Sequence, residues 1–137
     1  MDFLLDTSVW LRGALFGQTL PEDVRRILAS SKAELAISIY SLWEAGKKHQ
    51  EDKLPLPMDL AEWFKTAIPP NLHVLPLTPE IIVESTRLPD FPVNDPGDEL
   101  IVATARVHNI LLLTMDTQLR GYRHARVQYI KPIPPKT

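Results

Sequence analysis

Five short apolar segments of the chain are predicted to form β-strands. Two of them, "FLL" at 3–5 and "ILLL" at 110–113, are apolar at every position and are followed closely by polar residues. Continuous apolar runs of this length are typical of strands that are covered on both faces. The predicted strands are residues 2–6, 34–38, 72–77, 109–116 and 127–130.

Between the strands, apolar residues recur three or four positions apart, which is the spacing of an amphipathic helix. Val24, Ile27 and Leu28 follow this spacing after a proline at the predicted helix start. Segment 98–108 is apolar around most of its surface, which predicts a helix packed deep in the fold. The predicted helices are residues 7–15, 21–30, 41–50 with Ser41 as its cap, 58–67, 78–88 and 98–108.

The alternation of strands and helices predicts an α/β fold, with a parallel β-sheet sandwiched between helices in three layers. We find no internal repeat and no linker long enough to divide the chain. We therefore expect residues 1–137 to form a single domain, with a frayed, proline-rich tail from about residue 132.

Composition and charge narrow the chemistry of the 137-residue chain. It has no cysteine, which excludes a disulfide, a thiolate nucleophile and a Cys-bound metal. Without a secretory signal or an apolar run of ~20 residues, we expect a cytoplasmic protein that does not enter the membrane. The net charge of −2 gives no overall attraction for nucleic acid, so any such binding must be local.

Four acidic residues share one kind of position. Each lies at the end of a predicted strand or in the first turn of a predicted helix. Because parallel strands end at the same edge of a sheet, these acids can converge there. Each acid taken singly can also be explained as a helix or turn cap, and Asp95 is best explained in that way. The four are Asp6, Glu44, Asp98 and Asp116.

Four carboxylates at one edge repel each other by ~1 kcal/mol or more per pair. Helix amino termini offset part of this repulsion, and a bound divalent cation would remove it. Because the ligands would all be oxygens, the sequence predicts a hard ion, Mg²⁺ or Mn²⁺.

The acidic motifs resemble those of PIN-domain proteins, specifically the VapC-type toxins of toxin–antitoxin pairs. The matching segments are "LLDTSVW" at 4–10, "SLWE" at 41–44, "DPGDELIVATA" at 95–105 and "LLTMD" at 112–116. The resemblance implies a PIN-like α/β/α fold and a Mg²⁺- or Mn²⁺-dependent endoribonuclease with Asp6, Glu44, Asp98 and Asp116 as its acidic set. It also implies that Thr7 and Thr114 support the acids through their hydroxyl groups.

The sequence departs from the family pattern in one loop. The family often has His-Arg before the Asp-Pro pair and an aromatic residue after it, where this chain has Val93, Asn94 and Gly97. All four acids are kept, so the change bears on substrate contacts and not on hydrolysis.

The expected mechanism is hydrolysis of an RNA phosphodiester by a metal-activated water. Asp6 and Asp98 are the expected main metal ligands, and Glu44 and Asp116 complete the shell or bind a second ion. RNA must be guided past the acids by basic residues. The candidates are Lys47, Lys48, Arg120 and Arg123, with Arg126 beyond them, although the basic segment after Asp116 can also be explained as a solvated tail.

Trp10 and Trp43 flank the acidic motifs. Base stacking is possible for both, but core packing is the preferred interpretation because they lie on helices beside apolar neighbours. His49, His73, His108 and His124 lie outside the acidic motifs and are interpreted as surface or core residues.

The resemblance also implies partners, namely a cognate antitoxin whose tail covers the acidic pocket, and a second copy of the chain in a homodimer. Segments 22–30 and 59–67 can supply a groove for that tail, although ordinary core packing is the preferred interpretation. Two other functions remain open, an α/β phosphatase or phosphoacceptor and a non-enzymatic protein-binding module. The sequence does not identify which RNA is cleaved.

Overall fold

The computed structural model describes residues 1–134, so the predicted frayed tail lies partly outside the described residues. The strands are β1 (Phe3–Leu5), β2 (Leu35–Ser38), β3 (Leu72–Leu75), β4 (Leu111–Thr114) and β5 (Val127–Tyr129). The helices are α1 (Thr7–Leu15), α2 (Glu22–Ala29), α3 (Ile39–Gln50), α4 (Leu60–Ala67), α5 (Pro79–Ser85) and α6 (Pro96–His108). Two short 3-10 turns span Gly17–Thr19 and Thr117–Leu119.

The five strands form one sheet in the order β3-β2-β1-β4-β5, and every pairing in it is parallel. Leu4 in the central strand pairs with Ala36 on one side and with Leu112 on the other. The predicted parallel α/β fold is therefore confirmed.

Alternate side chains of the strands enter two separate cores, as the two-residue period of a strand requires. Leu5, Ile37 and Leu113 pack on one face with α1, α2 and α4. Leu4 and its neighbours on the opposite face pack against α6, and α5 packs in turn on α6. The sheet is thus covered on both sides, which explains why its central strands are continuously apolar.

The start of α3 differs from the prediction. Ser41 was expected to cap this helix, but the helix begins at Ile39 and its cap is Ser38, whose hydroxyl accepts a hydrogen bond from the Tyr40 amide (3.1 Å). Ser38 is also the last residue of β2, so the strand passes into the helix without a loop. In contrast, Asp95 caps α6 as predicted, and its carboxylate accepts a hydrogen bond from the Gly97 amide (2.8 Å).

Of the helices among residues 1–134, none is both long enough and apolar enough to cross a membrane.

Candidate active site

The candidate site lies where the strand order reverses. The chain passes from β1 to β2 on one side of the sheet, whereas β4 and β5 lie on the other side of β1. Open parallel sheets bind ligands outside the carboxyl ends of their strands at such a position. Asp6 follows β1 directly and Asp116 follows soon after β4, so both acids lie at this edge.

Asp6 is held by hydrogen bonds to both of its carboxylate oxygens. Oδ1 accepts from the Val9 amide (2.8 Å) and caps α1, while Oδ2 accepts from the Thr114 hydroxyl at the end of β4. The side chain is buried, with 7% of its surface exposed. Burial raises the pKa of Asp6, these hydrogen bonds oppose that rise, and the negative charge of Asp116 adds to it. Asp6 is therefore both a helix cap and part of the acidic cluster.

Asp98 carries the clearest sign of crowded carboxylates. Its pKa is raised to about 7, first by burial and then by the negative charges of Asp95, Asp116 and Asp6. A hydrogen bond between the Asp98 and Asp116 carboxyl groups contributes to the same rise. Asp98 is therefore about half protonated near neutral pH. Asp116 also caps the following 3-10 turn, by accepting a hydrogen bond from the Gln118 amide (2.9 Å).

Glu44 approaches the cluster from α3. It lines, together with Asp6 and Asp98, a small hollow of about 80 Å³ at the carboxyl edge of the sheet. The sequence predicted Glu44 in the first turn of this helix. Because α3 begins at Ile39, Glu44 lies in the second turn instead. It caps no helix, so the capping explanation that the sequence allowed for Glu44 does not hold in the structure.

The two predicted supporting threonines occupy different positions. The hydroxyl of Thr114 donates to Asp6 and accepts from the Asp116 amide (3.1 Å), so it joins two of the acids. The hydroxyl of Thr7 instead pairs with that of Ser41 (2.8 Å), and both residues are buried. Thr7 and Ser41 therefore connect α1 to α3, and Thr7 also lines the hollow.

Tyr40 is a site residue that the sequence analysis missed. Its ring lines the hollow, and its pKa is raised by burial and by the charges of Glu44, Asp95 and Asp98. A β-carbon on Gly97 would lie only 2.5 Å from the Tyr40 hydroxyl oxygen. Tyr40 thus fills the space beside the position where the family often has an aromatic residue. The small Gly97 after Asp-Pro was the available signal, but the sequence did not show which side chain would fill the gap.

The predicted RNA-contacting residues lie at different distances from the acids. Lys48 lines the acidic hollow, and Lys47 is exposed beside it on α3. Arg120 lies over the ring of Tyr129, 5.1 Å from the ring centre, near the carboxyl end of β5. Arg123 lines a separate surface hollow with Arg106, Asn109 and Arg126, next to the end of α6, and is not among the residues that line the acidic hollow.

The acidic cluster fits a hard divalent cation by the chemistry of its donors. Its side chains offer only oxygen atoms, and burial together with the neighbouring negative charges favours a proton on Asp98 that a cation would displace. Within the described part of the chain, no group of three or more acidic, histidine or cysteine side chains is arranged, as it stands, to hold a metal ion. Binding would therefore require loss of the Asp98 proton and movement of the acidic side chains towards a common point.

A comparison with known protein families shows to which family the chain belongs. Residues 3–125 match the model of the PIN domain. The chain belongs to the PIN-domain family. It is 30% identical over 110 residues to ribonuclease VapC22 of Mycobacterium tuberculosis, and the alignment covers 77% of this chain and 84% of that protein. The resemblance to VapC-type PIN domains that the acidic motifs indicated is thereby confirmed.

Solved structures of toxin–antitoxin complexes and of a single toxin share the fold. VapBC2 from Rickettsia felis, bound to a DNA fragment from its promoter, superposes with a TM-score of 0.72 at 14% identity, covering 96% of this chain and 100% of that one. DNA-bound VapBC from Salmonella typhimurium gives 0.71 at 19% identity, covering 94% and 98%. VapC20 of Mycobacterium tuberculosis, a sarcin-ricin loop cleaving toxin, gives 0.63 at 15% identity, covering 93% and 99%. At these identities the likeness establishes the fold alone.

Proposed function

We propose that this PIN-domain chain is a divalent-cation-dependent endoribonuclease and the toxin of a toxin–antitoxin pair. The observation that carries the proposal is the convergence of Asp6, Glu44 and Asp98 on one hollow, where burial and then the charges of Asp95, Asp116 and Asp6 raise the pKa of Asp98 to about 7. Carboxyl groups whose pKa is shifted by burial and by neighbouring charges are typical of functional sites. The name of the similar ribonuclease VapC22 supports RNA as the substrate.

Each acid has a distinct part in the proposed reaction. Asp6 is fixed by the Val9 amide and Thr114 and would be a rigid ligand of Mg²⁺ or Mn²⁺. Asp98, after losing its proton, and Asp116 would complete the site, with Glu44 contributing from α3. The cation would supply positive charge to the phosphate and lower the pKa of a water molecule.

The remaining residues of the hollow would hold the substrate. Lys48 lies at its wall and would pair with a phosphate oxygen, which offsets the repulsion between RNA and the acids. One carboxylate that is not occupied by the cation would accept the proton of the attacking water.

An antitoxin partner is part of the same proposal. The similar structures include complexes named VapBC and FitAB, which supports pairing of this chain with a small protein. An apolar groove of about 250 Å³ lies between α1, α2 and α4, with Trp10, Leu28 and Trp63 among its lining residues. This groove would accept an apolar segment of the antitoxin, and a second copy of the chain would complete a homodimer.

The test is a cleavage map of total RNA with the purified chain. We expect cleavage with Mg²⁺ or Mn²⁺ and none with EDTA. Asp98→Asn is expected to lower the rate at least 100-fold, because it removes a charged ligand. Glu99→Gln, which changes the adjacent acid outside the cluster, is the matched control and should cleave normally.

Two outcomes would contradict the proposal. Release of phosphate from small esters with RNA left whole would identify a phosphatase instead. Unchanged growth arrest when Asp6→Asn or Asp98→Asn is expressed alone would favour a protein-binding module whose acids are only caps.

A further inference from the structure

Trp43 is exposed beside the acidic hollow, which is contrary to its predicted packing in the core. Trp10 does pack in the core, and its indole nitrogen donates to the Ala67 carbonyl (2.8 Å). Trp43 instead has 59% of its surface exposed. Its only ring neighbour among the described residues is Tyr40, with ring centres 5.6 Å apart and planes inclined by 38°. A large aromatic side chain is thus presented to solvent next to a residue of the site.

The geometry of α3 explains this placement. Tyr40, Glu44 and Lys48 are spaced four residues apart, so they share one face of the helix, and all three line the hollow. Trp43 and Lys47 are also four residues apart and form the adjacent row. Both are exposed, and Lys47 donates to the Gln50 side chain (2.9 Å) on the same helix. An aromatic ring and a cation therefore lie side by side on the row of α3 next to the one that lines the hollow.

We propose that Trp43, supported by Tyr40, and Lys47 form a strip that binds single-stranded RNA immediately outside the acidic hollow. A nucleobase stacks on the indole of Trp43, and the ammonium group of Lys47 pairs with a phosphate of the same strand. Exposed aromatic rings alternating with basic side chains are the usual means of holding an unpaired strand without reading its sequence. The inference rests on the proposed ribonuclease function and names how that site holds its substrate.

A protein partner is the competing occupant, because Ile39 lies one turn before Trp43 and is also exposed. RNA is favoured by the direct contact of Trp43 with Tyr40, which continues the strip into the hollow. It is also favoured by Lys47, since a lysine at the centre of an apolar protein interface would be unfavourable. Ile39 therefore serves as the matched control, being apolar, exposed and on the same helix.

The first test measures binding without cleavage. In Asp98→Asn, an unstructured 12-nucleotide RNA should protect Trp43 from acrylamide quenching, whereas Trp10 and Trp63 are buried and should not respond. The same RNA with abasic nucleotides should give little protection. Equal protection by both RNAs, or none by either, would overturn the stacking inference even if the chain cleaves no RNA.

The second test measures cleavage kinetics. Trp43→Ala should raise KM for the same RNA about 10-fold with little change in kcat, in line with the loss of one stacked base. Trp43→Phe should restore most of the affinity because it keeps an aromatic face, and Trp43→Leu should not. Ile39→Ala should leave KM unchanged.

Two further results separate a failure of the strip from a failure of the proposed function. If Trp43→Leu retains normal KM, or if Trp43→Ala changes only the oligomeric state, the surface contacts protein and the strip is wrong. If the unmodified chain cleaves no RNA under any metal condition, the proposed function fails, and the quenching experiment alone then decides whether the strip binds RNA.

Discussion

At the scale of single residues, the site shows how a cap and a ligand can be the same side chain. Asp6 uses one oxygen to cap α1 and the other to meet Thr114, while its burial raises its pKa. Asp98 has no capping task, since Asp95 performs it. Asp98 is nevertheless strongly affected by its surroundings, since burial and then the neighbouring carboxylates raise its pKa to about 7.

The raised pKa of Asp98 predicts a pH-dependent gain in stability for Asp98→Asn. The ordinary pKa near 3.8 applies in the unfolded chain and about 7 in the folded one, so the folded state binds the proton more tightly. The native state therefore loses stability as pH rises from about 4 to 7, and the loss is complete above 7. Asparagine removes this loss. We expect the unfolding free energy of Asp98→Asn to be about 1 kcal/mol higher than that of the unmodified chain at pH 8. This value allows for solvent screening of a partly exposed group.

The measurement is thermal unfolding in EDTA at several pH values. A gain of about 1 kcal/mol corresponds to roughly 4 °C in Tm for a chain of this size. The gain should shrink towards pH 5, where Asp98 is largely protonated in the native state. A difference that stays constant between pH 5 and pH 8 would mean that folding does not raise the pKa of Asp98.

At the scale of elements, the joint between α3 and α6 builds one wall of the hollow. The amino terminus of α6 approaches α3 closely because Gly97 has no side chain, and the ring of Tyr40 occupies the space that remains. Thr7 and Ser41 hold α1 to α3 in a similar way through a buried pair of hydroxyl groups. The acids are thus positioned by contacts between helix starts and not by the loops alone.

Gly97→Ala should therefore have opposite effects in two backgrounds. In the unmodified chain the new methyl group would collide with the Tyr40 ring, and we expect a loss of about 1–2 kcal/mol in unfolding free energy. In Tyr40→Ala the collision is absent, and alanine should stabilise the helix by up to about 1 kcal/mol. Urea denaturation of the unmodified chain, the two single variants and the double variant measures the coupling between Gly97→Ala and Tyr40→Ala. Equal effects in both backgrounds would mean that Tyr40 does not pack on Gly97.

At the scale of the whole molecule, the hydrophobic pattern was sufficient to predict the layers and the edge at which the acids meet. Strand continuity and helix spacing are local properties, so "FLL" and "ILLL" were recognised as strands covered on both faces, and they correspond to β1 and β4. The start of α3 was not recognised, because Ser38 ends β2 and caps the helix at once, and Ile39 and Tyr40 gave no boundary signal. The exposure of Trp43 and the position of Arg123 depend on which elements pack beside them, and sequence spacing contains no information about that.

A site assembled from four distant chain segments makes cation binding depend on folding. The unfolded chain separates Asp6, Glu44, Asp98 and Asp116, so a cation that needs all of them should bind only the native state. By mass action this stabilises the chain by about 2.7 kcal/mol when Mg²⁺ is at 100 times its dissociation constant. Tm should therefore rise steadily with the logarithm of Mg²⁺ concentration, and Glu99→Gln should behave like the unmodified chain. Asp6→Asn and Asp98→Asn should lose most of the rise. A rise of equal size in all four proteins would show that Mg²⁺ acts by general screening of charge, and the convergence of the acids would then have no part in binding it.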